Sequence, residues 1–337
     1  MTANTDPSIF RLPEEELRRI FEEQIRPVYT GAVREHPVVV FIAGQPGAGK
    51  TTVESQVVVQ LGREEAVAVD GDDLFEYHPD YARLATENDQ TVRVLLADAA
   101  SRWWTMLAEH IRGQQCDAVI SAPLAGADWA ADRFDEFHQA GYRVEYVFVA
   151  VHEARSLLAV LDRYQRERNE HGVGRFVSPE IHDRAYPAVL VTADRLEDER
   201  LVDAAYVVRR GGETLYRNAL DESGSWSEPA RLREAIEGER SRAWTTEERD
   251  DFSQRARSTA ERIGEHLKPA LAEAVRRAVA HLDSAADRTS TDTAVLAFLS
   301  PTSATLSQAT SSSTSDRGSV TGTSSVRCVS GDRAASR

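Results

Sequence analysis

The sequence predicts an α/β fold, a doubly wound and mostly parallel sheet with helices on both faces. Short apolar runs at residues 38–43, 66–69, 118–120, 144–151 and 203–208 alternate with stretches whose apolar residues recur at helical spacing. A parallel sheet needs that alternation, because each crossover must carry the chain back along a helix before the next strand. The first run, Val38-Val39-Val40-Phe41-Ile42-Ala43, is apolar throughout, as a strand covered on both faces should be. It leads straight into Gly44-Gln45-Pro46-Gly47-Ala48-Gly49-Lys50-Thr51, a full match to the phosphate-binding pattern G-x-x-x-x-G-K-[ST].

Composition narrows the classes further. The 337 residues allow one large α/β domain with extra helices, or two modest domains. A formal net charge of −15 builds no basic stripe and argues against a nucleic-acid partner. The two cysteines, Cys116 and Cys328, match no metal or redox spacing, so a reduced cytoplasmic setting is the expectation. No apolar run approaches the ~18 residues of a membrane span, and no signal-peptide pattern opens the chain.

In chain order, residues 1–9 read as frayed. Over residues 12–29, Leu17, Ile20, Phe21 and Ile25 lie at helical spacing among glutamates and arginines. They predict an amphipathic helix whose apolar face packs on the core of the same chain rather than on a partner. After the glycine loop a helix is expected over 52–61, then a strand at 66–69 that ends in Asp70-Gly71-Asp72-Asp73. A helix over 91–111 carries Val94, Leu95, Trp103, Trp104 and Leu107. The helix between the third and fourth strands carries Phe134, Phe137 and His138, with Gly141 as its C-cap. A charged helix follows at 153–170, then the break His171-Gly172-Val173-Gly174-Arg175, a helix after Pro179 and the fifth strand at 203–208. The expected organisation is residues 1–35 as an N-terminal helix on the core, 36–220 as the nucleotide-binding domain, 221–286 as a helical extension and 287–337 as a disordered Ser/Thr-rich tail. Within the extension, Thr245-Thr246-Glu247-Glu248 fits a capping box.

The loop carries the first chemistry. Its glycines let the backbone curl so that successive N–H groups converge on phosphate oxygens, and the following helix adds its positive end. Lys50 is one of only two lysines among 40 basic residues. Its retention suggests that the slot needs a flexible ammonium rather than a guanidinium fork. The expected phosphate-binding set is Gly44, Gln45, Pro46, Gly47, Ala48, Gly49, Lys50, Thr51 and Thr52, with the Thr51 hydroxyl as a ligand of Mg²⁺. This is the signature of the nucleotide-phosphate site of a P-loop NTPase.

Carboxylates at the end of the second strand project over the same sheet edge. A kinase needs a carboxylate where the acceptor hydroxyl meets the γ-phosphate, and Asp70, Asp72 and Asp73 are candidates. If the segment stays extended, alternation puts Asp70 and Asp72 on one side and Asp73 on the other. Asp72 is the preferred base, and Asp73 is read as a helix cap. Arginines cluster later, at Arg155, Arg163, Arg166, Arg168 and Arg175. Arg163 on a helix and Arg175 just past a flexible Gly-x-Gly suit a lid that neutralises charge on a transferring phosphoryl group, although arginines on a charged helix are otherwise simply solvated.

With these residues in hand, the chain resembles the zeta toxins, P-loop kinases of the epsilon/zeta toxin–antitoxin type. The resemblance covers about residues 37–218. It rests on the glycine loop, Asp70-Gly71-Asp72-Asp73-Leu74-Phe75, His78-Pro79-Asp80-Tyr81, Asp162-Arg163-Tyr164, and Arg175 followed by His182-Asp183. It implies a kinase-like fold and a reaction in which ATP and Mg²⁺ are used to phosphorylate the 3′-hydroxyl of the amino sugar of UDP-N-acetylglucosamine, blocking cell-wall precursor synthesis. It also implies roles for Lys50 on the phosphates, Thr51 on the metal, Asp72 as base, and Arg163 with Arg175 as the charge-neutralising pair. A separate antitoxin that obstructs the ATP pocket is a further implication.

The chain departs from the family pattern after the third strand. The family commonly shows Glu-Gly-Thr there, whereas this strand ends Val119-Ile120-Ser121-Ala122-Pro123-Leu124. An acidic residue that the family often places on the preceding helix aligns with Thr105, with Glu109 one turn on. A different hydroxyl-bearing acceptor, such as an antibiotic or a nucleotide, therefore stays open beside the nucleotide sugar. A non-catalytic ATP-binding protein is the third reading.

Overall fold

The computed structural model describes residues 6–282 apart from 61, 63 and 64. The strands are β1 (Val38–Ala43), β2 (Val67–Asp70), β3 (Ala118–Ser121), β4 (Arg143–Ala150), β5 (Ala204–Arg209) and β6 (Thr214–Ala219). They form one six-stranded sheet in the order β2-β3-β1-β4-β5-β6. All neighbours are parallel except β5 and β6. Phe41 of β1 sits in register between Ile120 of β3 and Tyr146 of β4, and no residue of β1 is more than 4% exposed. Its uninterrupted apolar run is thus the central strand of a sheet covered on both faces.

The helices are α1 (Glu14–Ile20), α2 (Lys50–Gln60), α3 (Tyr81–Asn88), α4 (Val92–Leu95), α5 (Ala97–Gln114), α6 (Ala127–Gln139), α7 (Glu153–His171), α8 (Pro179–Asp198), α9 (Leu232–Ser241), α10 (Thr246–Arg262) and α11 (Lys268–Leu282). One sheet face, through Val39, Phe41 and Tyr146, packs on Leu17, Trp103, Phe134, Val189 and Ile236 of α1, α5, α6, α8 and α9. The other face, through Val40, Ile42 and Val149, packs on Val53 and Val57 of α2. A separate core joins Leu157 and Leu161 of α7 to Phe252 of α10 and Leu271 and Val275 of α11. Trp103 reaches from α5 to donate its indole N–H to the Leu17 carbonyl at 3.0 Å, which ties α1 to the domain.

This is the expected doubly wound P-loop kinase-like sheet, with four local differences. β6 was not expected. It is an edge strand with an irregular pattern of exposure, so it lacks the apolar run or clean alternation that marks a strand in sequence. The expected helix over 91–111 is two helices, because buried Leu96 leaves helical geometry at φ −102°, ψ 7° and turns Val92 toward Leu84. Around residues 12–29 the regular helix stops at Ile20, and a wider turn over Phe21–Ile25 bonds Arg26 N–H to the Phe21 carbonyl at 2.8 Å. The segment expected to fray holds one helical turn at Pro7–Phe10. The expected tail, residues 287–337, lies outside the described residues.

Candidate active site

From the neighbouring strands β1 and β3 the chain leaves in opposite directions, from β1 through α2 on one face toward β2 and from β3 through α6 on the other face toward β4. The loop after β1 therefore opens into the crevice where doubly wound sheets place ligands. Ala122 N–H donates to the Ile42 carbonyl at 3.1 Å, so the segment after β3 lies against the start of this loop. Within the loop, Ala48 N–H donates to the Gln45 carbonyl and Thr52 N–H to the Gly49 carbonyl, each at 3.1 Å. Gly47 has φ +77°, and a Cβ there would stand 2.1 Å from the Ser156 carbonyl oxygen of α7. Only glycine fits that approach.

Lys50 opens α2, with Nζ donating to the Gly44 carbonyl at 3.0 Å. Burial pushes its ammonium down to about 8, against the pull of nearby Asp70 and Asp72 and with the push of Arg163. Thr51 and Thr52 are exposed at the helix end, while Gly44 and Ala48 are buried and Pro46 and Gly49 half-buried. Gln45 differs from the expected phosphate contact. Its side chain is fully buried and turns inward, so only its backbone can face a phosphate.

The segment after β2 is not extended, which corrects the alternation argument. Gly71–Tyr77 is a tight helical stretch, and Asp70, not Asp73, is its cap, accepting from Asp72 N–H at 3.0 Å. Asp72 is gripped by the guanidinium of Arg93 of α4, which lies 5.0 Å above the Phe75 ring. Asp73 is exposed. Glu54 of α2 joins these acids: burial, with Asp70 and Asp73 beside it, raises its carboxyl to about 7.

The arginines divide. Arg163 of α7 is half-buried with Nε unpartnered, and burial, then repulsion from Arg175, lowers its affinity for a proton. Arg175 is held by Glu167, which accepts from its backbone N–H at 2.8 Å and its Nε at 3.4 Å. Its Nη1 stands 4.0 Å from Asp70. Arg155 instead pairs with Glu248 at 2.6 Å, Arg168 bonds Tyr164 at 2.7 Å, and Arg166 is exposed. Lys50, Asp70, Asp72, Arg163 and Arg175 thus converge in one electrostatically coupled group.

Other motif residues are structural. His78 is buried, with Nε2 bonded to the Phe10 carbonyl at 3.0 Å and Nδ1 accepting from Asp80 N–H at 3.1 Å. Asp162 accepts from Thr259 and Arg262, and Tyr164 donates to buried Asp89 at 2.8 Å. Thr105 and Glu109 are both exposed on α5.

Sequence reasoning missed Arg93, Glu54 and Glu167, which no motif marks. It also missed an aromatic pair at Gly71. Trp104 packs at Gly71, with its buried indole N–H unpartnered, and its ring lies 6.0 Å from that of Trp129. Trp129 is 39% exposed at the start of α6, just past Ser121 to Leu124.

A hard cation such as Mg²⁺ takes one or two protein oxygens and completes its shell with phosphate and water. The exposed Thr51 hydroxyl fits that demand, and Asp70 and Asp72 lie near Lys50, the residue before it. No preformed cluster of three or more His, Cys, Asp or Glu side chains suited to a metal occurs among the described residues. No helix among them is long and apolar enough to cross a membrane.

Comparison with known proteins agrees with this fold. The chain is 23% identical to Toxin PezT of Streptococcus pneumoniae over 186 residues, 54% of this chain and 72% of that protein. It is 21% identical to Toxin zeta of Enterococcus hirae over 183 residues, 54% of this chain and 64%, less than two thirds, of that protein. A solved structure from the characterisation of the PezAT chromosomal toxin–antitoxin system of Streptococcus pneumoniae shares the fold. Its TM-score is 0.64 at 18% identity, over 75% of this chain and 99% of that one. The family model for the zeta toxin matches residues 26–221, more than half of the 337, and the chain belongs to the zeta toxin family.

Proposed function

We propose that this chain is an ATP- and Mg²⁺-dependent kinase that phosphorylates the 3′-hydroxyl of the amino sugar of UDP-N-acetylglucosamine and acts as a zeta-type toxin. The observation that carries the reading is the convergence of Lys50, Asp72, Arg163 and Arg175 at the mouth of the glycine loop. A protein that only bound nucleotide would need neither the carboxylate nor the two arginines. In this reading the loop amides and Lys50 hold the phosphates of ATP. Asp72 orients the acceptor hydroxyl and takes its proton as the new O–P bond forms and the bond to ADP breaks. Arg163 and Arg175 offset charge on the equatorial oxygens. Thr51 would hold Mg²⁺, which when bound would neutralise phosphate charge. A separate antitoxin that covers the ATP pocket belongs to the same proposal, as does the division into an N-terminal helix, a kinase domain and a helical extension.

A second reading keeps the kinase and changes the acceptor. Ser121 to Leu124 replace the expected Glu-Gly-Thr, and the Trp104–Trp129 pair lies at Gly71, next in sequence to Asp72. That surface suits an acceptor with a planar ring as well as it suits a nucleotide sugar.

The test is transfer of labelled phosphate from ATP to a panel of nucleotide sugars, nucleosides and aminoglycosides by the unaltered chain, Lys50→Ala and Asp72→Ala. Lys50→Ala should lose ATP binding and transfer; Asp72→Ala should keep binding and lose transfer. Asp72-dependent transfer to another acceptor alone selects the second reading. Full activity in Asp72→Ala would reject the base assignment.

A further inference from the structure

The extension after residue 221 lies outside the matched family region, yet one of its arginines bonds a side chain of the phosphate loop and a second is linked through Asp183 and His182 to Ser156, which packs on that loop. Arg240 of α9 is 5% exposed. Its guanidinium lies 3.8 Å from the Tyr186 ring centre and 5.4 Å from that of Phe148. From that slot Nη2 donates to the side-chain oxygen of Gln45 at 2.9 Å, and Nη1 donates to the Tyr186 carbonyl at 3.0 Å. Gln45 spends its amide nitrogen on the Val151 carbonyl at 3.1 Å and the Ser156 hydroxyl at 3.2 Å. A glutamine in the loop is thus clamped between α9 and the start of α7.

A second arm reaches the same serine. Arg277 of α11 grips Asp183 with two nitrogens, at 2.7 and 2.8 Å. Asp183 is 3.0 Å from Nδ1 of fully buried His182, whose Nε2 is 2.8 Å from the Ser156 hydroxyl. The bidentate pair keeps Asp183 an acceptor, so Nδ1 carries the imidazole proton and Nε2 accepts from Ser156. The carbonyl of that serine is the atom against which Gly47 is packed. Both arms therefore end on residues that fix where the loop backbone lies.

We propose that α9 and α11 belong to the nucleotide site, with Arg240 and Arg277 as positioning residues that set the phosphate-loop backbone through Gln45 and Ser156. The inference rests on the reading of that loop as an ATP site. Phosphate recognition by converging amides depends on sub-ångström placement, and supports of this kind typically change affinity about 10- to 100-fold when cut. Both arms end at the phosphate loop, on Gln45 and Ser156, so the loss is expected on the phosphates.

The experiment is calorimetric titration of the full chain with Mg²⁺ and either a non-hydrolysable ATP analogue or inorganic tripolyphosphate. Arg240→Met should weaken both ligands by the same factor, about 10- to 100-fold. Arg240→Lys, which keeps one donor, should recover part of it. Gln45→Leu should weaken both ligands at least as much as Arg240→Met, since it also cuts the bonds to Val151 and Ser156, and the double variant should lose less than the sum of the two single losses, because they share the Gln45–Arg240 contact. Arg240→Met with a lowered melting temperature and affinities within about twofold of the unaltered chain overturns the proposal, since the arm would then be structural only. If Arg240→Met does not fold, Arg277→Met reads the second arm: an equal loss on both ligands supports the proposal, and unchanged affinity overturns it. Absence of binding by the unaltered chain would bring down the ATP reading and this inference together.

Discussion

The carboxylate of Asp72 is gripped by the guanidinium of Arg93, which stands 21 residues further along the chain and is itself packed over Phe75. The candidate base is thus held in place by a side chain that can be altered without touching the glycine loop. Arg93→Ala should lower kcat by about 10- to 100-fold while leaving the KM for ATP near its starting value. Arg93→Lys should restore part of the rate. Steady-state kinetics separate the two parameters, and a rise in the KM for ATP with kcat intact would show that Arg93 serves the nucleotide instead.

Lys50 has a sign that can be worked out. Its ammonium loses its proton near pH 8 in the free chain, whereas bound phosphate favours the charged form. ATP affinity should therefore fall as pH rises above about 8, and binding at pH 9 should take up a proton. The weakening can reach about tenfold per pH unit. Calorimetry in two buffers of different ionisation enthalpy reads the proton directly; no uptake between pH 7.5 and 9 would contradict the depressed value.

Glu54 gives a stability test on the chain without nucleotide. Its carboxyl is raised from 4.5 to about 7 by burial and by Asp70 and Asp73. The stability linked to its protonated form is fully present below 4.5 and is lost as pH rises through about 7. Glu54→Gln should raise the melting temperature at pH 8 and change it little at pH 5. A lower melting temperature at pH 8 would mean that the ionised carboxylate is stabilised there.

Gly47→Ala confronts both a left-handed φ of +77° and the Ser156 carbonyl at 2.1 Å, whereas Gly62→Ala meets a φ of +63° with nothing within 4 Å. The first should cost several kcal/mol, roughly 3 or more, and remove nucleotide binding; the second should cost only the strain of about 1 kcal/mol. Chemical denaturation of the two variants compares them, and equal losses would mean that the loop yields to the added methyl.

The sequence by itself determined the sheet, the phosphate loop and most of the polar cast, because each is written locally. A strand buried on both faces must read as an apolar run, and a loop that turns its amides inward must spend glycines at fixed spacing. Tertiary structure decided which of those residues meet. The contact between Gln45 and Arg240 spans 195 residues, and the one between Asp72 and Arg93 joins the turn after β2 to a separate short helix 21 residues on. Neither leaves a periodic trace. Asp70 took the cap expected of Asp73 because the chain coils directly after β2 instead of continuing extended. β6 stayed hidden because an edge strand keeps neither a fully apolar run nor a clean alternation. Local pattern records what a backbone segment needs in order to form; the pairing of distant side chains is fixed only when the helices pack and bring their faces together.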